Sequence, residues 1–249
     1  MIMIKVFIVS LNDSPRRTSI SQLCEKYGVE FEFVDAVNGR KLDDKYINKI
    51  NSYEWTKLKY KRKLGPAEIG CTLSHLSIYK KNINSWFIVL EDDVDFDERF
   101  VKLINTDITG LRTDALYLLG GQEGLESFKN VIFSRFGGIK VNTDIVFLKT
   151  ICSERFLFRT CCYMIHHSLA KRIVDFNQNK LTLADDWFNL SKFNIINNIY
   201  YIDLVAHPSD LSTSLIHSDR LKLIKTRQKI YRTFMKRIVL KFRSILRFF

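Results

Sequence analysis

An apolar run that stops on three adjacent carboxylates is the feature that most constrains this sequence. Residues 86–90 have the composition of a buried strand, and Glu91, Asp92 and Asp93 follow at once. Like charges crowded at one strand end repel one another by about 1 kcal/mol per pair in water. Because parallel strands open at their carboxyl ends onto a ligand crevice, we predict a bound cation there. Mg²⁺ and Mn²⁺ suit carboxylate ligands. A solvated acidic turn is the alternative.

Length and composition indicate one globular domain with a tail. The chain has 249 residues, 46% of them apolar, with 10 Gly and 3 Pro. These values exclude a low-complexity chain, and no run approaches the roughly 20 apolar residues of a membrane span. Residues 1–11 lack a basic start and a cleavage site, so we interpret them as a first strand and expect a cytoplasmic protein.

The five cysteines indicate neither a disulfide framework nor a zinc site. Their number is odd and their spacing contains no paired metal-ligand motif. We therefore expect buried free thiols, packed in the core.

The opening residues predict a β-α-β unit. Residues 3–11 form the first strand, Ser14 is the predicted N-cap with Pro15 at the first helical position, and Gly28 ends the helix. A second strand at 29–37 follows. Two strands separated by a helix imply parallel pairing with a right-handed crossover.

The remaining elements follow from apolar patterning and turn signals. Residues 41–63 are polar, and we expect short helices or a mobile insertion there. Gly65-Pro66 begins a helix that is predicted more clearly than those in 41–63. Ser168 is the predicted N-cap of a helix that runs through Phe176. Further strands are predicted at 86–90, 115–119, 145–148, 161–165 and 199–204, with a helix start within 183–188.

The C-terminal tail carries most of the net charge of +12. Residues 219–249 contain 11 Lys or Arg and one acid, which leaves 28 basic and 26 acidic residues for the preceding body. The tail pattern predicts a basic amphipathic helix, with aromatic residues on one side and Arg or Lys on the other. Such a helix is typical of in-plane membrane binding, at up to about 1 kcal/mol per basic residue near an anionic leaflet. Packing on the body or on another subunit is the alternative.

Six segments in order resemble glycosyltransferase family 25, the lipooligosaccharide galactosyltransferases that are related to collagen galactosyltransferases. They are residues 8–11 with Arg17, 33–39, 64–71 with Ser74 and His75, 90–94, 163–165, and Asp186 with Trp187. The resemblance spans nearly the whole body. It departs at Ser10, where the family usually has Asn, and at Asn12-Asp13, where an acidic and then a basic residue are usual. It also departs at residues 159–162, where Arg-Thr-Cys-Cys replaces a Gly-rich approach.

The resemblance implies an α/β fold of the GT-A type, a Rossmann-like nucleotide-sugar domain with a mainly parallel central sheet at 1–218, followed by the tail at 219–249. The acidic block then corresponds to the element that holds Mn²⁺ or Mg²⁺ on the donor diphosphate. Asp93 is the expected metal ligand, Glu91 contacts the ribose, a metal-bound water or the metal, and Asp92 lies in the outer shell or contacts the donor. His207 is the candidate third metal ligand.

The family's transfer is taken to be inverting, so a carboxylate must accept the proton of the acceptor hydroxyl. Asp186 is the candidate base, with Asp185 as the alternate and Trp187 as a platform for a sugar face. Ordinary N-capping is the alternative for both carboxylates. The other candidate donor-binding residues that the resemblance implies are Ser10, Asn12, Arg17, Ala36, Val37, Glu68, Ser74 and His75.

The sequence therefore predicts an enzyme that transfers galactose from UDP-galactose to a sugar hydroxyl of a lipopolysaccharide or lipooligosaccharide core, in β-linkage, at the inner face of the cell membrane. UDP-glucose or UDP-N-acetylglucosamine are alternative donors. A metal-dependent phosphoesterase or nuclease is a rival enzyme. A polyanion- or membrane-binding module that uses the tail is the non-enzymatic rival; because the body is nearly neutral, we expect no nucleic-acid partner.

Overall fold

The computed structural model describes residues 4–208, which form nine strands and seven α-helices. The strands are β1 (Lys5–Ser10), β2 (Glu32–Asp35), β3 (Trp86–Glu91), β4 (Asp95–Phe96), β5 (Ala115–Gly120), β6 (Ile139–Lys140), β7 (Val146–Lys149), β8 (Cys162–His166) and β9 (Asn198–Ala206). The helices are α1 (Arg16–Tyr27), α2 (Asp44–Ser52), α3 (Glu54–Tyr60), α4 (Pro66–Tyr79), α5 (Glu98–Ile104), α6 (His167–Phe176) and α7 (Trp187–Lys192). None of these helices is long and apolar enough to cross a membrane. The predicted tail helix at 219–249 lies outside the described residues.

The sheet is mixed, so the prediction of a mainly parallel sheet is wrong. Its strand order is β2-β1-β3-β8-β5-β9-β7-β6, with β4 paired to β9. β1 runs parallel to β2 and β3, and β5 runs parallel to β9. β8, however, is antiparallel to both β3 and β5. A strand that is covered on both faces has a continuous apolar sequence in either orientation, so the pattern could not show its direction.

Helices cover both faces of the sheet and create two cores. Along β3, Phe87 and Val89 face the core that contains α4, α6 and α7, while Ile88 and Leu90 face the core that contains α1 and α5. This alternation follows from the period of two in strand side chains. Both faces of β3 are therefore buried, which explains its unbroken apolar run.

The helix ends confirm some predicted caps and correct others. Gly28 ends α1 with a left-handed φ of 65°. The N-cap of α1 is Pro15 rather than Ser14, although the Ser14 hydroxyl accepts the Arg16 amide at 3.3 Å and also donates to Asp92. The N-cap of α6 is His166, so Ser168 lies in the first turn of that helix. Residues 41–63 contain the short helices α2 and α3.

None of the five cysteines forms a disulfide bond. Cys24, Cys161 and Cys162 are buried, as predicted, whereas Cys71 is half-buried and Cys152 is exposed. Burial raises the pKa of the Cys24 thiol to about 11.

Two glycines allow the end of β9 to approach β5. Gly120 and Gly121 have φ values of 148° and 73°, which residues with a Cβ rarely adopt. A Cβ on Gly120 would collide with the Val205 carbonyl oxygen, and the Gly121 amide donates to that oxygen at 2.9 Å. This close approach directs the chain after β9, including His207, toward the acidic end of β3.

Candidate functional site

An open cleft of about 600 Å³ lies at the carboxyl ends of β1, β2 and β3. Its walls come from the loop after β1, the turn after β2 and one face of α4, and Glu91, Asp92 and Asp93 line it as well. The chain adds β2 on one side of β1 and then β3 on the opposite side. The direction of strand addition therefore reverses at β1. Open α/β sheets bind ligands at such a switch point.

Asp93 has one carboxylate oxygen without a hydrogen bond. Its Oδ2 accepts from Arg16 Nη1 at 2.8 Å. Its Oδ1 is buried and has no hydrogen-bond partner among residues 4–208, although His207 Nε2 lies 3.7 Å away. Burial and the charge of Glu91 raise the pKa of Asp93, against the opposing charges of His207 and Arg16. A buried polar atom left without a partner in a folded protein needs a specific explanation.

Glu91, Asp93 and His207 form a group that could hold a metal ion. Each offers one ligand atom, and these atoms lie within 4.8 Å of one another. His207 Nδ1 is 2.9 Å from the Pro208 carbonyl oxygen, which leaves Nε2 directed at Asp93. In metal sites, such a bond on the other ring nitrogen fixes the tautomer of a histidine ligand. The donor set of oxygen and nitrogen therefore fits a divalent cation.

Arg16 supplies a positive charge at the same place. Its Nη1 also lies 3.4 Å from Asp92 Oδ1, so one guanidinium contacts two of the three carboxylates. The sequence interpretation named Arg17 and overlooked Arg16. One guanidinium facing three acidic residues leaves the cluster with excess negative charge when all three are ionised, and a divalent cation would offset that charge.

Glu91 is held by residues from two other elements. Its Oε1 accepts a hydrogen bond from the Thr160 hydroxyl and lies 3.8 Å from His75 Nε2. Burial acts to raise the pKa of Glu91, but the interactions with His75, Thr160 and His207 together outweigh burial and lower it. The environment thus favours the ionised carboxylate that a metal ligand requires.

A buried row of hydroxyl groups supports His75. The Tyr79 hydroxyl donates to the Tyr163 hydroxyl at 2.7 Å, and Tyr163 lies 2.7 Å from His75 Nδ1. His75 and Tyr163 are almost completely buried. This hydrogen-bonded row orients the imidazole so that Nε2 faces Glu91.

Asp92 fixes the loop that follows β1. Its Oδ2 accepts hydrogen bonds from Ser10 at 2.6 Å and from Ser14 at 2.8 Å. With Arg16 on its other oxygen, Asp92 holds the wall of the cleft in place. Asp92 therefore stabilises the loop after β1, whereas Asp93 has an oxygen without a hydrogen bond beside the cleft.

The family model described as glycosyltransferase family 25 (LPS biosynthesis protein) matches residues 3–189. The chain belongs to glycosyltransferase family 25. The match runs from β1 into α7 and includes Glu91 and Asp93, while His207 lies beyond its end.

Curated relatives include proteins that carry the same family name. A glycosyltransferase 25 family member of Aedes aegypti is 30% identical over 106 residues, which are 40% of this chain and 18% of the relative. Human procollagen galactosyltransferase 2 is 28% identical over 126 residues, 46% of this chain and 20% of the relative. A rat protein named "Probable inactive glycosyltransferase 25 family member 3" is 31% identical over 120 residues, 45% of this chain and 21% of the relative. The matched part thus spans about a fifth of the length of these relatives.

Solved structures show weaker likenesses. The inositol-1-phosphate CTP transferase from T. maritima aligns with 91% of this chain and 98% of its own, at a TM-score of 0.44 and 11% identity. A glycosyltransferase involved in glycosylation of the major capsid of PBCV-1 aligns with 90% of this chain and 100% of its own, at a TM-score of 0.35 and 10% identity. Both likenesses are too weak to say more about this family 25 chain.

Most of the predicted donor-binding residues line the cleft of this family 25 protein, and their contact with a donor stays a prediction. Those that line it are Ser10, Ala36, Val37, Ser74, His75, Glu91 and Asp92. The Ser74 hydroxyl accepts from the Val37 amide at 2.8 Å, which ties α4 to the turn after β2. Asn12, Arg17 and Glu68 are not among the described residues that line the cleft.

Arg17 and Glu68 are engaged in structural contacts. Arg17 pairs with Asp35, donates to the Ser10 carbonyl oxygen at 3.0 Å and lies over the Phe33 ring, so it links β1 to β2. Glu68 is buried. Its carboxylate accepts two 2.7 Å hydrogen bonds from Arg62, and Oε2 also accepts the Gly65 amide at 3.0 Å, which closes the start of α4.

The Asp186 carboxylate is the N-cap of α7. It accepts from the Asn189 amide at 3.3 Å and from the Tyr60 hydroxyl at 2.6 Å. Asp185 accepts from the Arg159 amide at 3.2 Å. Neither carboxylate is among the described residues that line the cleft. The capping alternative is therefore realised for Asp186, and a catalytic role for either residue stays a prediction.

Trp187 is not a sugar platform, so that expectation is wrong. Its side chain is fully buried, packs edge-on against Tyr163 and donates from Nε1 to the Arg159 carbonyl oxygen at 3.3 Å. The indole fills the core that also contains residues of α4 and α6.

Thr160 and Arg16 are the site residues that sequence reasoning missed. Thr160 lies in the segment that departs from the family pattern, and its hydroxyl contacts Glu91. The available signal for Arg16 was its place in the first turn of α1, directly after the loop that leaves β1. A side chain there lies beside the carboxyl end of the parallel strands.

Proposed function

We propose that this family 25 chain transfers galactose from UDP-galactose to a sugar hydroxyl of a lipopolysaccharide or lipooligosaccharide core, with inversion to a β-linkage. Family membership supports sugar transfer. The family description, LPS biosynthesis protein, supports the acceptor class, and the name of the human relative supports galactose. UDP-glucose and UDP-N-acetylglucosamine are the alternative donors.

The observation that carries the proposal is the unpartnered oxygen of Asp93 beside Glu91 and His207, at the edge of the cleft. We assign these three residues to Mn²⁺ or Mg²⁺. When bound, the ion neutralises the charge that develops on a departing diphosphate. Arg16 adds a fixed positive charge from the loop side, and the row of hydroxyls behind His75 keeps Glu91 in place.

On the acceptor side, we keep Asp186 as the proposed base, with Asp185 as the alternate. Tyr60 and Asn189 hold the Asp186 carboxylate in one orientation. A base must accept the proton of the acceptor hydroxyl as the new bond forms. In this proposal the acceptor approaches from the side of α3 and α7, the elements that carry these two partners.

The test is calorimetric titration of the full chain with UDP-galactose, UDP-glucose, UDP-N-acetylglucosamine and UDP, each with and without Mn²⁺. We expect binding that needs Mn²⁺ and is tightest for UDP-galactose. If another UDP-sugar bound most tightly, that UDP-sugar would be the donor instead of UDP-galactose. Absence of binding to every nucleotide, combined with cleavage of DNA or of phosphate esters, would favour the metal-dependent phosphoesterase or nuclease and overturn the proposal.

We further propose that the protein works at the cytoplasmic side of the membrane, with residues 219–249 on the anionic inner leaflet beside a lipid-linked acceptor. The support is the tail's 11 basic residues against one acid. The test is sedimentation of the full chain with anionic and neutral vesicles. Replacing Arg232, Lys236, Arg243 and Arg247 by Gln should reduce binding to anionic vesicles, whereas the matched change of Lys41, Lys45, Lys49 and Lys57 should not. Equal losses in both variants would contradict a specific role for the tail.

A further inference from the structure

A second group of metal-ligating atoms lies beside the first. Cys71 and His75 of α4 and Glu91 of β3 each offer one ligand atom, and the three atoms lie within 4.8 Å of one another. Cys71 and His75 are four residues apart, so they lie one turn apart on the same face of the helix. Both line the cleft, which gives an ion a route from solvent.

The chemistry of this group differs from that of Glu91, Asp93 and His207. It contains a thiol, and thiolate with imidazole suits zinc and similar ions more than magnesium or manganese. His75 also has the support that histidine ligands usually have. Tyr163 contacts its Nδ1 at 2.7 Å, and Nε2 faces Glu91 at 3.8 Å.

The other cysteines lack this setting. Cys24, Cys161 and Cys162 are buried within the core that contains α1 and α5, where burial raises the pKa of each thiol. Cys152 is exposed and belongs to no group of three ligands among the described residues. Cys71 is thus distinguished by its half-buried place on the cleft wall and by its spacing from His75.

We propose that Cys71, His75 and Glu91 form a second divalent-metal site, which takes thiolate-binding ions of the zinc class and shares Glu91 with the site of Asp93 and His207. On binding, the Cys71 thiol loses its proton to solvent and its sulfur bonds to the ion. Zinc takes four ligands in most sites, so water from the cleft would complete the set. Because Glu91 belongs to both groups, an ion held here changes how the other site binds Mn²⁺. The proposal depends on no step of sugar transfer.

The test uses Co²⁺ as a spectroscopic substitute for Zn²⁺ in the full chain. The wild type should show a cobalt–thiolate charge-transfer absorption that Zn²⁺ displaces. Cys71→Ser should lose this absorption, and its affinity for Zn²⁺ should fall at least tenfold, while Cys152→Ser should behave as the wild type. Asp93→Asn, which alters the first group, should keep the absorption.

A second measurement does not depend on any variant. Alkylation of the wild type followed by mass spectrometry should show that Zn²⁺ protects Cys71 and leaves Cys152 reactive. Absence of the absorption from the wild type, its persistence in Cys71→Ser, or equal alkylation of Cys71 with and without Zn²⁺ would each overturn the proposal. Loss of the absorption from Asp93→Asn would also overturn it, since the ion would then belong to the first group.

Discussion

Two acidic regions of this molecule, the β3 corner around Asp93 and the α7 corner around Asp186, differ in how fully their carboxylates are hydrogen-bonded. At the end of β3, Asp93 has a buried oxygen without a hydrogen bond and faces His207 across 3.7 Å. At the start of α7, Asp186 has both oxygens bonded, to Tyr60 and Asn189. A buried acceptor left without a partner costs about 1–3 kcal/mol, so it persists where a ligand completes it. We propose that the β3 corner holds a cation, whereas the Asp186 carboxylate at the α7 corner caps a helix.

The largest expected effect is on Asp93. Asp93→Asn removes the charge of the proposed central ligand at nearly constant shape. On that proposal, metal-dependent hydrolysis and transfer of UDP-galactose should fall by about 1000-fold, since the lost charge stabilisation is several kcal/mol. Steady-state assays in Mn²⁺ measure the change. The matched control is Asp95→Asn, two residues further on at an exposed position, which should keep wild-type rates. Turnover in Asp93→Asn close to that of the control would remove the distinction between the two corners.

Asp186→Asn is the sharpest test of whether the α7 corner has a catalytic role as well as a structural one. Asparagine caps helices about as well as aspartate, so Asp186→Asn keeps the capping role while it removes a base. If Asp186 is the base, transfer should fall at least about 100-fold with little change in the free energy of unfolding and with UDP binding intact. Transfer at the wild-type rate would show that the carboxylate serves the helix alone. Asp186→Ala should in addition cost about 1 kcal/mol of stability, measured by urea unfolding.

A loss of Mn²⁺ affinity of about tenfold is expected when the residues that support the β3 corner are changed. Tyr163→Phe removes the hydroxyl that orients His75 and, through it, Glu91, and loss of such supporting groups weakens metal binding about 10- to 100-fold. Mn²⁺ titration of the variant measures this loss. Tyr60→Phe removes the equivalent hydroxyl at the α7 corner and should leave Mn²⁺ affinity unchanged. Equal losses in the two variants would indicate a general effect on packing.

The smallest effect concerns Arg16. Its guanidinium competes with a cation for Asp93, and a partly exposed pair of this kind contributes up to about 1 kcal/mol. Arg16→Gln should therefore tighten binding of Mn²⁺ alone by a few-fold and weaken binding of UDP. Arg17→Gln, which breaks the pair with Asp35, is the control and should change neither affinity. Weaker Mn²⁺ binding in Arg16→Gln would show that the arginine supports the cation site.

The sequence predicted the β3 corner better than the α7 corner, for physical reasons. The acidic block follows a buried strand, and the carboxyl end of that strand defines where its side chains meet those of β1 and β2. His207 was predicted beside this block from the family, and the close approach of β9 to Gly120 brings it there. Asp186 caps a six-residue helix that begins at Trp187, and the orientation of this helix depends on tertiary packing, which local pattern does not encode.

The same reasoning explains the errors in the sheet. The apolar runs of β3, β5 and β8 look alike in sequence, because helices or loops cover both faces of each strand. Register and direction depend on the path of the loops between strands, and the segment before β8 returns the chain beside Glu91 in the opposite direction. Contacts of this kind, such as Thr160 with Glu91, are invisible without the fold.

The central claim is that Glu91, Asp93 and His207 hold a divalent cation. Its most direct test is the electron paramagnetic resonance signal of free Mn²⁺ during titration of the full chain in the presence of UDP. We predict one Mn²⁺ bound per wild-type chain, binding weakened at least 100-fold in Asp93→Asn, and wild-type binding in Asp186→Asn. Equal Mn²⁺ binding by Asp93→Asn and wild type would contradict the account.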